Sequence, residues 1–250
     1  MNPLVTIAIP SFNQGRFLDE ALASVFSQKI PKEVFVLDGG SSDNTLDVIK
    51  KWESRLSGWR SGPDGGQSAA INEGIAMGTA PYVCWLNADD RFSKNGLALL
   101  LKGLVSDTSS PAAYGRCWTI NASGRKLFPY ATLPFHAWFL ANYCFIAQPA
   151  TLIRRRAWEA AGGIDQTLDM AMDYDLWWRL FNRFGKFVYV RRFAAHTRLH
   201  GETKTATRRR DHYAESMNVV LRHYGRIPGK WYLAWPVMVT ARSFLNNTRM

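Results

Sequence analysis

Three times between residues 4 and 90, a short β-rich run stops abruptly, and a helical pattern lies between each run and the next. Leu4-Val5-Thr6-Ile7-Ala8-Ile9 ends at Pro10 and a Ser11-Phe12-Asn13-Gln14-Gly15 turn. From Arg16 to Gln28, apolar Phe17, Ala21, Leu22, Val25 and Phe26 then recur at helical spacing. Val34-Phe35-Val36-Leu37 ends at Asp38-Gly39-Gly40, and Ser42-Asp43-Asn44-Thr45 offers capping chemistry for a helix through Trp52. Pro63-Asp64-Gly65-Gly66 precedes a helix over Gln67 to Met77, and Tyr82-Val83-Cys84-Trp85-Leu86 is the third run. Strand, loop and helix in alternation predict an α/β fold: a mixed, mostly parallel sheet with helices on both faces. In such sheets ligands sit beyond the carboxyl ends of the strands. Pro10-Ser11, Asp38-Gly39 and Asn87-Ala88-Asp89-Asp90 all fall there, so one crevice is expected to collect them.

The third run carries the most chemistry. Asp89 and Asp90 repel each other at a strand end unless a cation sits between them. Hard oxygen ligands in that position suit Mg²⁺ or Mn²⁺, ions that commonly bridge a diphosphate. No Gly-x-Gly-x-x-Gly or Walker-type loop is present, which argues against a dinucleotide site or an ATP P-loop.

Composition narrows the partners. The chain has 250 residues, 47% of them apolar, enough for one large domain or two merged lobes. Cys84, Cys117 and Cys144 are too few and scattered for a disulfide framework or a zinc site and read as buried thiols in a reducing compartment. The N-terminus reads as a strand rather than a signal peptide, and no apolar stretch reaches bilayer-spanning length. A cytoplasmic protein, peripheral at the inner face of the cytoplasmic membrane or free, is the expectation. The net charge of +11 calls for an anionic partner. Its basic residues concentrate late, at Arg154-Arg155-Arg156, Arg191-Arg192 and from Arg208 onward, which argues against an evenly basic nucleic-acid cleft.

Four segments in order resemble the nucleotide-sugar-binding half of family 2 glycosyltransferases of the GT-A fold. They are Ile9-Pro10-Ser11-Phe12-Asn13, Val36 to Thr45, Pro63 to Asn72, and Leu86-Asn87-Ala88-Asp89-Asp90. The likeness continues through Gly162-Gly163-Ile164-Asp165 and Met172-Asp173-Tyr174-Asp175-Leu176-Trp177-Trp178-Arg179 to Arg198-Leu199-His200. It implies a Rossmann-like GT-A domain with a nucleotide-sugar-binding half (1–105), an acceptor-binding and catalytic half (106–204) and a basic, aromatic C-terminal helical extension (205–250). It also implies an inverting transfer from a nucleoside-diphosphate sugar, with UDP the expected carrier, to a glycan or lipid-linked acceptor, assisted by Mn²⁺ or Mg²⁺.

By the same resemblance, Pro10, Ser11, Asn13, Asp38, Asp64, Gln67, Asn87 and Asp89 contact the nucleotide. Asp89, Asp90 and His200 address the metal, and Arg198 and Lys204 are candidates for phosphate oxygens. Asp173, in the first turn of a helix expected over Met172 to Phe184, is the general base, with Asp175 as rival. Gln148, Trp177, Trp178 and Arg179 are placed on the acceptor side. The chain departs from the family pattern at Gly39 and Met172, where relatives often carry acidic residues, and at Asn87, the first position of an Asp-x-Asp motif. An inactive sugar-nucleotide-binding relative and a basic nucleic-acid-binding module are the alternative readings.

The end of the chain reads as a basic helix from Thr205 to Tyr224 and then Lys230-Trp231-Tyr232-Leu233-Ala234-Trp235-Pro236-Val237-Met238-Val239. Tryptophan and tyrosine beside basic groups suggest an anchor on anionic lipid. A segment packed on the catalytic half is the alternative.

Overall fold

Every residue of the first strand is buried, as a strand inside a sheet covered on both faces must be. The computed structural model describes residues 2–236. In chain order it runs β1 (Val5–Ser11), α1 (Gly15–Phe26), β2 (Lys32–Asp38), α2 (Thr45–Trp52), β3 (Gly58–Ser61), α3 (Gln67–Ala76), β4 (Tyr82–Trp85) and β5 (Arg91–Phe92). There follow α4 (Gly96–Ser106), β6 (Ala112–Ile120), β7 (Lys126–Pro129), α5 (Ala137–Asn142), β8 (Thr151–Arg154), α6 (Arg155–Ala161) and α7 (Met172–Phe184). The described chain closes with β9 (Val188–Arg198), a short α8 (Lys204–Thr207), α9 (Arg209–Tyr224) and α10 (Gly229–Pro236).

One sheet of order β3-β2-β1-β4-β8-β6-β9-β5, with β7 paired to β6, runs through the whole domain. From β3 to β4 all pairings are parallel, and β8 joins β4 antiparallel. The parallel register sets Ser11 opposite Asp38, and Leu86 N donates to Ala8 O at 3.0 Å. The ends of β1, β2 and β4 therefore open onto one edge, and the acidic turn lies where the sheet changes sense. Helix α3 lies close on β1 and β2 because Gly74 has no side chain: a Cβ there would come within 2.8 Å of the Ala8 Cβ.

Two apolar layers cover the sheet. One gathers Leu18, Leu22, Val36, Leu97 and Leu100, and the other Ile71, Trp85, Trp158, Trp177, Trp178, Val219 and Trp231. Helices α9 and α10 belong to the second layer. Tyr213, Ser216, Val219 and Val220 are buried, the Trp231 indole donates to Ala141 O at 2.7 Å, and Tyr213 donates to Trp231 O at 3.0 Å. Through residue 234 the aromatic tail is a wall of the domain, with Trp231 turned inward; Tyr232 and Leu233 face solvent. This corrects the membrane-anchor expectation for Trp231. The rest of that expectation, from Val237 through Arg249, lies outside the described residues. No helix among the described residues is long and apolar enough to cross a membrane.

Candidate active site

A cavity of about 1260 Å³ opens at the carboxyl edge of β1, β2 and β4. Pro10, Ser11, Gly39, Asp64 and Gln67 line one part, Asn87, Asp89 and Asp173 another, and Tyr143, His212, Tyr213, Lys230 and Trp231 a third. The last set comes mostly from α9 and α10. Sequence reading missed it, because nothing local marks a basic, aromatic helix as a cavity wall.

In the wall built by β1, β2 and the start of α3, Ser11 is buried and its hydroxyl has no partner among the described residues. Gly66 adopts φ +88 before α3, a conformation that favours glycine and brings the loop round to the helix start. Asp64 accepts from Gly66 N at 2.8 Å and pairs with Arg60 at 3.0 Å. Gln67 donates to Asn87 Oδ1 at 2.9 Å, and Gln148 donates to Trp85 O at 2.9 Å, so amide side chains cross the cavity floor. Asn87 Nδ2 also faces Gln148 Oε1 at 3.4 Å, a donation that an ionised aspartate at this position could not make.

Two residues expected at the nucleotide serve the backbone instead. Asp38 is fully buried: Oδ2 accepts from Gly40 N, Ser41 N and Ser61 Oγ at 3.2, 3.0 and 2.5 Å, and Oδ1 accepts from Ser41 Oγ at 2.5 Å. Those bonds use its acceptor capacity, so it shapes the loop. Asn13 accepts from Ser42 N at 2.9 Å, and its own N–H donates to Ser41 Oγ at 2.7 Å, clasping the loops after β1 and β2 together. At Gly39 a Cβ would stand 3.3 Å from the Phe12 ring and 3.7 Å from Asp64 Oδ1. Without a side chain there, Asp64 is the carboxylate that faces the cavity at this end.

The acidic pair divides. Asp89 Oδ2 meets His200 Nε2 at 3.0 Å, while Arg16 Nη2 approaches His200 Nδ1 at 3.3 Å. Arginine only donates, so Nδ1 accepts and the imidazole proton lies on Nε2, toward Asp89. Asp90 is buried, with Oδ1 accepting from Arg198 N at 2.8 Å. Burial and the neighbouring Asp89 charge push its carboxyl well above the usual range. Asp90 thus ties the turn to β9 at the cavity lining, and Asp89 is the more open carboxylate of the pair. Arg198 is likewise occupied: it donates to Asp89 O at 2.7 Å and Ala122 O at 2.8 Å and pairs with Glu20. Lys204 pairs with Asp169.

Among the described residues no three His, Cys, Asp or Glu side chains converge as a ready-made metal cluster. Asp89 and His200 nevertheless suit a divalent ion as a two-donor half-site, which the ion would complete by displacing the Nε2 proton. Their 3.0 Å separation is about that of adjacent ligands around an octahedral ion at ~2.1 Å, and Mg²⁺-type ions commonly take only one or two protein ligands beside substrate phosphates.

Asp173 lines the cavity in the first turn of α7, with Tyr174 N donating to its Oδ1 at 2.8 Å. Burial raises its carboxyl to about 6 despite that hydrogen bond, and the Glu215 charge adds to the rise. Asp175 points away from the cavity. It accepts from His223 at 2.7 Å and pairs with Arg179 at 2.6 Å; burial pushes it up, but the hydrogen bonds from these two side chains outweigh burial and hold it below the ordinary carboxylate value. The two rivals are thus separated by environment. The acceptor-side expectation for Trp177, Trp178 and Arg179 is corrected. Trp177 is 0% and Trp178 1% exposed, packed on Trp85 and His223 respectively, and Arg179 binds Asp175 and the end of α6. Of that group, only Gln148 lines the cavity.

Residues 6–160 match the model of glycosyl transferase family 2, more than half of the chain. The chain belongs to glycosyltransferase family 2. This family 2 chain is 27% identical over 218 residues to the chondroitin synthase of Pasteurella multocida strain Pm70, a match covering 84% of the chain and 22% of that protein. Similarity to the Pasteurella multocida hyaluronan synthase has the same extent and identity. The chain thus spans about a fifth of the length of these relatives. Among solved structures, Staphylococcus aureus TarS in complex with UDP-GlcNAc superposes with TM-score 0.71 at 15% identity, over 90% of this chain and 67% of that one. The Pyrobaculum calidifontis mannosyltransferase PcManGT, in complex with GDP-Man and Mn²⁺, gives 0.70 at 18% identity over 92% and 67%. These likenesses confirm the GT-A fold for the family 2 chain.

Proposed function

We propose that the chain is an inverting glycosyltransferase that moves a sugar from a nucleoside diphosphate, UDP by preference, to a hydroxyl of a glycan or lipid-linked acceptor. The observation that carries this reading is the placement in one cavity of a carboxyl raised to about 6, Asp173, with Asp89, the outer member of the acidic pair. A base of that strength is mostly ionised near neutrality yet basic enough to accept a proton. Ser11, Asp64 and Gln67 hold the nucleoside end, and Asn87 and Gln148 floor the sugar position. Asp173 takes the proton of the acceptor hydroxyl as its oxygen attacks the anomeric carbon and the nucleoside diphosphate departs from the opposite face. One such displacement inverts the anomeric configuration. Asp89 and His200 would hold the divalent ion, whose charge stabilises the departing diphosphate.

Tyr143, His212, Tyr213, Lys230 and Trp231 offer an acceptor end of aromatic faces and basic groups, suited to the C–H faces of sugars and to anionic substituents. The synthase relatives support a glycan acceptor, and the net charge of +11 supports contact with an anionic membrane surface.

The test is turnover of a nucleotide-sugar panel followed by NMR, with Mn²⁺, Mg²⁺ or EDTA, comparing wild type with Asp173→Asn. Metal-dependent release of one nucleoside diphosphate, lost in the variant, is the expected result. No binding of any donor with either metal would refute the reading.

A further inference from the structure

Helix α7 begins without a cap of its own. Its N-cap residue is Ala171, which has no side-chain acceptor for the free amides of the first turn. What α9 supplies is an acceptor for the three residues that lead into the helix. Glu215 Oε1 takes the N–H of Asp169 at 3.1 Å, and Oε2 takes those of Met170 and Ala171 at 2.6 and 2.5 Å. Three consecutive amides thus converge on one carboxylate, and Asp173 follows two residues after the last of them. The same turn is gripped from its other side, where Lys204 and Arg208 pair with the Asp169 side chain. A charged acceptor at a helix start is favoured both by the helix dipole and by charge-assisted hydrogen bonding.

We infer that Glu215 is a positioning residue for the catalytic base: it clamps the three residues that lead into α7 and so fixes where Asp173 stands in the cavity. The inference rests on the role proposed above for Asp173. Without Glu215, the turn from Asp169 to Ala171 has three amides to satisfy with water, and the first turn of α7 is free to fray. A carboxylate displaced by an ångström from its acceptor hydroxyl loses about a hundredfold in rate. The clamping charge has a second consequence. Tyr130 and Cys144 face Asp173 from the segment between β7 and β8, Tyr174 faces it from its own helix, and Glu215 faces it from α9, where His212 is in turn near Glu215. Of these groups, Glu215 alone carries a negative charge at neutral pH, so its removal lets Asp173 ionise more readily.

The experiment uses the full chain with Glu215→Gln, nearly isosteric and uncharged, and Glu215→Ala. Amide hydrogen exchange at Asp169, Met170 and Ala171, and the titration of the Asp173 carboxyl by ¹³C NMR, are read without turnover. In Glu215→Gln, exchange at these amides is expected to quicken by about fivefold or more, and the Asp173 midpoint to fall. With the donor found to turn over, kcat is expected to drop by about tenfold or more, donor KM to stay within about twofold, and the acid limb of the rate profile to move down with the Asp173 midpoint. Glu215→Ala should exaggerate each effect. Unchanged exchange, an unchanged Asp173 midpoint or an unchanged kcat overturns the inference. So does a parallel loss of kcat, donor affinity and melting temperature, the signature of general unfolding. If the wild type binds no donor with either metal, the transferase reading fails, while exchange and titration still decide whether Glu215 holds the turn.

Discussion

Asp89 and His200 lie 111 positions apart in the chain, and their Oδ2 and Nε2 atoms are 3.0 Å apart beside the cavity. Replacing either should weaken metal-supported donor binding by about tenfold or more, whereas binding in EDTA should hardly change. Calorimetric titration of the donor with and without Mn²⁺ checks this. Equal losses in both conditions would assign Asp89 and His200 to the fold rather than to the ion.

Asp90 should behave differently from its neighbour. Asp90→Asn keeps an acceptor for Arg198 N and removes a charge that burial disfavours, so metal-dependent turnover should survive far better than in Asp89→Asn. Asp90→Ala leaves the Arg198 amide unpaired and should cost about 1–3 kcal/mol of stability, measured by urea denaturation.

The rate should rise with pH through about 6 as Asp173 loses its proton. The sign for stability is opposite. Its folded carboxyl titrates above the unfolded value of 3.8, so its contribution is full below that value and is lost as pH climbs through about 6. Asp173→Asn should therefore abolish turnover yet raise stability by about 1–3 kcal/mol at pH 8, with no gain below pH 4. Paired rate profiles and melting curves across this range measure both effects.

Trp178→Ala should act as a core mutation. Its ring packs among Tyr174, Phe181, His223 and Tyr224, so truncation should cost about 3–5 kcal/mol. Acceptor KM in the surviving folded fraction should stay near wild type. A selective rise in acceptor KM with normal stability would return Trp178 to the cavity.

The first half of the domain was legible because continuous apolar strand runs, helical spacing and glycine turns all agree there. The expected helix over Met172 to Phe184 has the same ends in the structure. Side-chain direction at the ends of elements was less legible. Asp38 and Asp64 both follow strands and precede glycines, and only the fold shows that four donors surround Asp38 while Asp64 lines the cavity. Trp177 and Trp178 are adjacent on α7, an arrangement that usually turns one ring outward. Trp177 is buried against Trp85 and Phe187, and Trp178 under His223 and Tyr224 of α9. Glu215 gave no signal at all, since its partners are backbone amides 44 to 46 positions earlier.

The union of Asp90 with Arg198, and of Arg198 with Glu20, has a consequence for how the protein is made. Glu20, in α1, leaves the ribosome long before its partner, 178 positions later. Closing so long a loop is slow, and the contact forms only when nearly the whole domain has been synthesised. Strands β1, β2 and β4 can pair early, but the acidic turn stays untied until β9 is laid against β6 and β5. During synthesis the nascent chain would therefore acquire the cavity wall of β1, β2 and α3 first and its Asp89–His200 pair last.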